Sequence, residues 1–386
     1  MQKNKQFISW IITTKPLLVL LALWLTMQLI LLFSFGIVTT NEATKYSGEA
    51  QQLLQTGHFS ELKYIFYSVY ILLHVLFYQL GFETTGVYAI QLCLNLIGMF
   101  CFYKTILRKT GSNISAFIGT ALLIICYSWQ YWTVYLYTES IFCSLILIFS
   151  YLLFGIASTS FKRYAGIVLL LLLIMFSRPT GMYTLPVLGL TGLFVLIKAR
   201  KWWLAALFSV ASLVVFILLV NFAMQSGSSF DFMKPLLEHN VLCYIPYNSS
   251  ETVSNMPVAE NNLLGIWHFI VQNPGTFFQL ACLKALSFWG MTRTYYSTLH
   301  NAWLIGFFYP LYFFAGIGLR SLFKTAAVFA GYISCLLIVF TLSVMLTCDD
   351  WNNRFNMPII PFVVLLSGIG LYTTFKIRPG LHKKLQ

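Results

Sequence analysis

Four short stretches of this chain pair ionisable residues with helix-breaking or aromatic neighbours inside an otherwise apolar sequence. The first, TTNEATKYSGEAQQLLQTGHF at 39–59, carries Glu42 and Tyr46 just past a long apolar run. The second, YWTVYLYTESIF at 131–142, carries Tyr137, Thr138 and Glu139. The third is SRPTG, with Arg178 before Pro179, and the fourth is CDDWNNRFNMPIIPF at 348–362, with Asp349, Asp350 and Arg354. A carboxylate can take a proton from an attacking hydroxyl. A guanidinium in a dry pocket suits a phosphate or a carboxylate. Dense Tyr and Trp suit a membrane interface and equally suit stacking on sugar rings. Each stretch also has a plainer reading. Glu42 and Glu139 stand where acids favour a helix N-terminus, and Arg178 could simply pair with a structural carboxylate such as Glu139. Two adjacent aspartates can hold a hard divalent cation, but at a helix end they are more often just solvated, so metal binding is not expected of Asp349 and Asp350.

The elements that position these stretches follow from composition and charge. The chain is 59% hydrophobic and only 9% charged, against about a quarter charged for a soluble domain. It is expected to be an all-α polytopic membrane protein, 1–386 forming one membrane domain. The net charge of +13 does not imply nucleic acid, because the basic residues sit in short inter-span clusters: Lys3/Lys5/Lys15, Lys104/Arg108/Lys109, Lys162/Arg163, Lys198/Arg200/Lys201, Arg320/Lys324 and Lys376/Arg378/Lys383/Lys384. Placed inside by the positive-inside rule, these clusters give ten spans: 16–38, 86–107, 114–131, 139–158, 164–177, 180–197, 203–224, 301–319, 325–347 and 358–375. Both termini are then cytoplasmic, and 376–386 is a cytoplasmic tail. The acidic residues fall outside or at the outer membrane edge. Span 16–38 is too long for a signal-peptide core and is expected to stay as an anchor. Segments 64–80 and 274–289 would invert every later cluster if they crossed, so they are expected to lie in, or dip into, the outer face. Outer segments 39–85 and 225–300 are the candidate catalytic loop and a long loop that could cap a cavity.

Local detail is also predicted. Tyr46, Ala50, Leu53 and Leu54 make a helical apolar stripe, with Lys45, Glu49, Gln52 and Gln55 on the other sides. Thr40 or Asn41 is the expected cap and Gly57 the expected stop. Thr138 is the expected N-cap of the fourth span. The first arm of the 164–177/180–197 hairpin rises about 21 Å, against about 30 Å of hydrocarbon, which would hold Arg178 below the outer surface. A cation at that depth needs a cavity or a partner. The eight cysteines are expected to be packing residues rather than to form a disulfide between Cys243 and Cys348. No histidine has metal-ligand spacing, and Asn248 begins a glycosylation sequon by pattern.

Taken in order along the chain, these residues resemble the polytopic GT-C glycosyltransferases, in particular the bacterial group related to protein O-mannosyltransferases and aminoarabinose lipid A transferases. The acidic first-loop pattern D-S/E-x-x-Y followed by A-x-x-L is matched by Glu42, Tyr46, Ala50 and Leu53. The T/S-E pair is matched by Thr138 and Glu139, the R-P break by Arg178 and Pro179, and R-Y/F-x-x-P-x-x-P by Arg354, Phe355, Pro358 and Pro361. Two departures stand out: Asn41 precedes Glu42 where the family has a second acid, and no large soluble domain is present. The resemblance implies a GT-C-like bundle in a bacterial inner membrane and a sugar donor carried on a polyprenyl phosphate. It implies transfer at the outer face, usually with inversion, to a glycan, lipid or protein acceptor. Within it Glu42 would be the base and Glu139 would orient the acceptor or hold Arg178, with Arg178, Arg354, Tyr46 and Tyr137 binding substrate. A transporter of lipid-linked sugars and an O-antigen-type polymerase are the alternatives. The transporter would favour paired halves, of which the sequence has none. The polymerase would favour arginines in large outer loops, and 225–273 contains none.

Overall fold

The computed structural model describes residues 15–155, 160–226, 231–243, 245 and 261–375. The Asn248 sequon, Lys3, Lys5 and the 376–386 tail lie outside the described residues. Every one of the ten expected spans is a helix or a helix pair. They are α1 (Pro16–Phe35), α4 (Glu83–Thr110), α5 with α6 (Asn113–Ile125 and Tyr127–Gln130), α7 (Thr138–Ser150, continued by a π turn, Tyr151–Gly155), α8 (Phe161–Ser177), a 3-10 turn Pro179–Tyr183 running into α9 (Thr184–Lys198), α10 (Trp202–Gln225), α14 (Thr298–Thr325), α15 (Ala327–Leu346) and α16 (Ile360–Phe375). The remaining helices are α2 (Glu42–Thr56), α3 (Ser68–Gln79), α11 (Lys234–Leu237), α12 (Leu263–Gln272) and α13 (Pro274–Gly290). Among the described residues there are isolated β-bridges but no strand. The fold is an all-α polytopic bundle.

The span expected at 114–131 is not straight. Its helix stops at Ile125, and the continuation through Thr133 turns by 68°. Cys126 leaves helical geometry at ψ 87°, so the aromatic segment after it lies across the end of the bundle. By length and composition alone Leu62–Gln79 could also cross a bilayer. Its contacts place it against the start of the next helix. The Tyr70 hydroxyl donates to Gln91 at 2.7 Å, and Phe77 packs under Gly86, so α3 runs antiparallel to the first turns of α4. The far end of α4 puts Lys109 over the rings of Phe154 and Phe329. In the same region Arg163 donates to the carbonyls of Leu152 and Leu153. The bundle thus has a basic end and an opposite end where α2 and α3 lie. Helix α13 dips into that opposite end beside α15: Lys284 Nζ donates to Thr347 O at 2.6 Å, and Trp289 Nε1 to Thr341 Oγ1 at 3.2 Å.

The last helix is the axis of the core, with every residue from Ile360 to Gly370 buried. Glycines let its neighbours approach closely, as small residues do in membrane bundles. A methyl added at Gly318 would strike the Leu366 carbonyl, one at Gly370 the Phe314 carbonyl, and one at Gly368 the backbone of Gly119.

Several local expectations are corrected. Leu54 is exposed, and the buried face of α2 is Ala43, Tyr46, Glu49 and Ala50. Glu49 turns inward because its carboxylate accepts from Ser60 N at 2.7 Å and Ser60 Oγ at 2.6 Å, closing the loop after Gly57. Gly57 does stop the helix, in the left-handed conformation that favours glycine. Asn41 occupies the cap position, but its side chain makes no capping bond. Tyr137, not Thr138, is the N-cap residue of α7. Cys243 and Cys348 form a disulfide, with Cα atoms 5.2 Å apart. The reason is backbone pairing that no spacing rule reveals: Cys243 N donates to Asp349 O at 2.8 Å and Asp349 N to Val241 O at 2.9 Å. The other six cysteines are free. Alkylation of the denatured, unreduced protein should therefore count six thiols and full reduction eight; eight before reduction would disprove the bridge.

Candidate active site

At the end away from the basic clusters the helices surround a cavity of about 450 Å³. Its charged floor is assembled from four elements. Glu42 sits in the first turn of α2. Glu139 is in the first turn of α7. Arg178 ends α8 in an extended conformation (φ −164°, ψ 144°), which the following proline enforces. Arg354 stands in a 3-10 turn, Arg354–Asn356, before α16.

These four side chains form one ion-paired network. Arg178 Nη1 lies 2.6 Å from Glu139 Oε1. Arg354 Nη1 is 3.5 Å from the same oxygen and 2.6 Å from Glu42 Oε2. Arg354 Nη2 is 3.1 Å from Asp350 Oδ2, which also accepts from its Nε at 3.1 Å. The face of Phe355 backs the Arg178 guanidinium. Glu139 and Arg178 are buried, whereas the Glu42 side chain keeps 37% of its exposure. The reading of Arg178 as paired with a structural carboxylate, Glu139, is therefore met, and Arg354 is saturated as well. The aspartates are not solvated. Asp350 is taken by Arg354, and Asp349, fully buried, is held by Arg293 Nη2 at 2.6 Å. A divalent cation on this pair would have to displace an arginine from each carboxylate, so these residues do not fit one.

Lys45 was expected to point away; it lines the cavity instead. Positions 42, 45, 46 and 49 share a helix face by the i, i+3, i+4 rule, and that signal was available in the sequence. Lys45 Nζ takes part in none of the ion pairs among the described residues. It sits 4.7 Å over the ring of Tyr67 and 5.6 Å from that of Tyr46, within cation–π range. Its ammonium is pulled below the ordinary lysine range because burial outweighs the attraction of Glu42. For Glu42, burial raises the pKa, but the charge and hydrogen bond of Arg354, with Arg178 and Lys45 beyond, bring it below the usual glutamate value.

Tyr46 also lines the cavity, with its hydroxyl 3.4 Å from Glu42 Oε2. Tyr137 does not. It is buried behind the mouth, its hydroxyl donating to Thr40 O at 3.4 Å. One wall is apolar, made by Met182, Val220, Ala223, Phe340 and Val344 from the ends of α10 and α15 and the turn before α9. The roof is Asp231, Phe232, Lys234 and Glu238, a part of the long loop, which the disulfide ties to the segment bearing Asp350 and Arg354.

The chain has an ArnT-like fold. Its structure aligns with that of ArnT from Cupriavidus metallidurans bound to undecaprenyl phosphate, with a TM-score of 0.50 and 14% identity over 92% of this chain and 60% of ArnT. Apo ArnT from the same organism gives 0.49 and 14%, over 91% and 59%. The chain thus spans about three fifths of the length of ArnT. No protein-family model and no curated protein matches the sequence.

The buried pair of Arg178 and Glu139 predicts its own test. Removing one partner of a buried ion pair costs about 3–5 kcal/mol. Glu139→Ala should therefore lower the thermal unfolding midpoint in detergent clearly, and Glu139→Gln, which keeps an acceptor, should lower it less. Equal midpoints for wild type and Glu139→Ala would contradict the pairing.

Proposed function

We propose that the protein is a membrane glycosyltransferase that moves a sugar from a polyprenyl-phosphate donor to an acceptor hydroxyl at the extracytoplasmic face. The observation that carries this reading is the division of labour in the cavity. Three carboxylates, Glu42, Glu139 and Asp350, compensate Arg178 and Arg354, while Lys45 remains as a cation at the wall with no carboxylate of its own. An incoming phosphate is a partner for Lys45, and Arg178 and Arg354 act on it from within the network rather than as free ligands. The apolar wall between the ends of α10 and α15 accepts the first isoprene units from the bilayer. ArnT, the protein of similar fold, has been solved with undecaprenyl phosphate bound, which agrees with this donor class.

In the proposed step the acceptor oxygen attacks the anomeric carbon as the bond from that carbon to the phosphate oxygen breaks. The bond's electron pair leaves on the polyprenyl phosphate. The hydroxyl proton passes to Glu42, the most exposed carboxylate of the network, and then to water. Attack from the face opposite the phosphate inverts the anomeric centre. Lys45 and the arginines stabilise charge on the departing phosphate, where preorganised cations act most strongly. Glu139 orients Arg178 and Arg354. Two observations support the extracytoplasmic face and cytoplasmic termini. The basic clusters gather at the other end, and the disulfide at the cavity belongs to an oxidising compartment. The bilayer would be the inner membrane of a bacterium, as the resemblance to the bacterial enzymes implies.

The deciding measurement is transfer of radiolabelled sugar from polyprenyl-phosphate donors by purified wild type and Glu42→Gln. Loss of general-base help should cut turnover by about 10²–10⁴-fold while donor binding survives. Lys45→Met should instead lose donor binding. No product with any donor, together with saturable donor binding, would favour a transporter. Because Glu42 is held below the usual glutamate pKa by Arg354, it stays ionised at pH 5. Activity should persist there and fall only below about 4.3, the unperturbed glutamate value. An acid limb near pH 6 would contradict this base. EDTA should leave transfer intact, since arginines occupy the carboxylates a cation would need.

A further inference from the structure

One group of polar side chains plays no part in the cavity itself: the buried Arg293, Asp349 and Asn353, with the half-buried Ser287. Arg293 is buried and donates in several directions. Its Nη2 reaches Asp349 Oδ2 at 2.6 Å, Asn353 Oδ1 at 2.5 Å and Asp350 O at 3.1 Å. Its Nη1 reaches the carbonyls of Ser287 and Thr292, both at 3.1 Å. Ser287 Oγ donates to the same Asp349 oxygen at 2.8 Å. Asn353 has a positive φ of 58° and is also fixed through its Nδ2 on Met291 O at 2.7 Å. All these bonds converge on one short turn, 349–353, which Arg293 clamps from the side away from the cavity.

That turn presents the carboxylate of Asp350 to Arg354. Asp350 Oδ1 accepts from Asn352 N at 2.8 Å and Arg354 N at 3.2 Å, and Oδ2 takes Nε and Nη2 of Arg354. Two of the three guanidinium nitrogens are thereby committed, and Nη1 is the atom left to reach Glu42 and Glu139. A free arginine side chain has many rotamers, so the orientation of this one is set by Asp350, and the place of Asp350 by Arg293.

We propose that Arg293 and Asp350 are positioning residues for the transfer reaction: Arg293 fixes the 349–353 turn, and Asp350, carried on that turn, holds Arg354 against Glu42. The proposal rests on the reading of Glu42 as the base. Neither residue touches the reacting atoms in that reading; both act through Arg354.

The groups facing Glu42 let a pH profile separate positioning from plain electrostatics. They are Arg354 and Asp350 from the 349–356 segment, Arg178 from the end of α8, Glu139 from α7, Tyr67 and Tyr137 from flanking turns, and Lys45 and Tyr46 from its own helix. Deleting the negative charge of Asp350 with Arg354 still in place would make Glu42 easier to ionise and move the acid limb of kcat/KM down. Releasing Arg354 from Glu42 moves the limb up. In the full chain, Asp350→Ala should move it up, lower kcat at least tenfold and leave the donor KM within about threefold. Arg293→Lys, which keeps the charge but not the fork, should shift the limb the same way by less. Asp350→Asn, which keeps an acceptor for Arg354, should recover part of kcat. The ¹³C resonance of the Glu42 carboxylate, assigned by its loss in Glu42→Gln, reads the same shift without turnover. A failure of the transfer assay itself is thus distinguishable from a failure of this proposal. A limb or resonance that moves down or stays in Asp350→Ala, an Arg293→Lys indistinguishable from wild type, or loss of donor binding and thermal stability together with an unmoved Glu42 titration would each overturn it.

Discussion

The structure depends on a buried chain of alternating charges: Arg178, Glu139, Arg354, and then Asp350 and Glu42 in a fork. An isolated ion at this depth would cost several kcal/mol of solvation. No member can therefore sit where it does unless the next is in place. The five come from four elements: the end of α8, the start of α7, the segment before α16, which carries both Asp350 and Arg354, and the start of α2. The network thus does more than fill a pocket. It sets the relative height of four helix ends, and those heights define the cavity. Buried ion pairs are a weak source of net stability but a strong source of specificity in some systems, and here the alternatives they exclude are bundles with slipped helices.

Two further ties hold the cavity together from above. The disulfide joins the roof segment to the shelf bearing Asp350, and backbone bonds run alongside it. Arg293 holds the shelf from the opposite side. The floor is fixed by charge, the shelf by an arginine clamp and the roof by a covalent bond, while the wall between the ends of α10 and α15 is apolar. That wall is the direction from which a lipid-borne molecule can come without crossing a charged barrier.

What the sequence made legible follows from interactions that are local or collective. Hydropathy and the basic clusters located the ten helices, and the two further apolar segments, 64–80 and 274–289, are helices that Tyr70 with Gln91 and Lys284 with Thr347 fasten to their neighbours. The residues at 42, 139, 178 and 354 were legible as a set because each stands at a helix end with a recognisable neighbour. What was not legible depends on pairings distant in the chain. Cys243 meets Cys348 across 105 residues, and Arg293 meets Asp349, with no periodicity to announce either. The aspartates looked solvated because adjacent acids usually are, and only the arrival of two arginines reverses that. Lys45 is the instructive miss: its helix face follows from the spacing, but its standing outside the ion pairs among the described residues depends on Arg178 and Arg354 having taken the carboxylates.

That occupation bears on how such a site would work. A pocket lined by free arginines would bind a phosphate strongly in the substrate and at least as strongly in the product, so the leaving carrier would be slow to depart. A network in which each arginine already has a carboxylate offers little excess charge to the ground state. In the proposed reaction, as the bond to phosphate breaks and negative charge grows on it, Arg178 and Arg354 would gain attraction to that charge. A proton moving onto Glu42 at the same time would remove the carboxylate that had been competing for Arg354. One proton transfer would then both activate the acceptor and free a cation for the leaving group. In the proposed reaction this coupling would tie the differential stabilisation that catalysis requires to the 2.6 Å contact between Glu42 and Arg354.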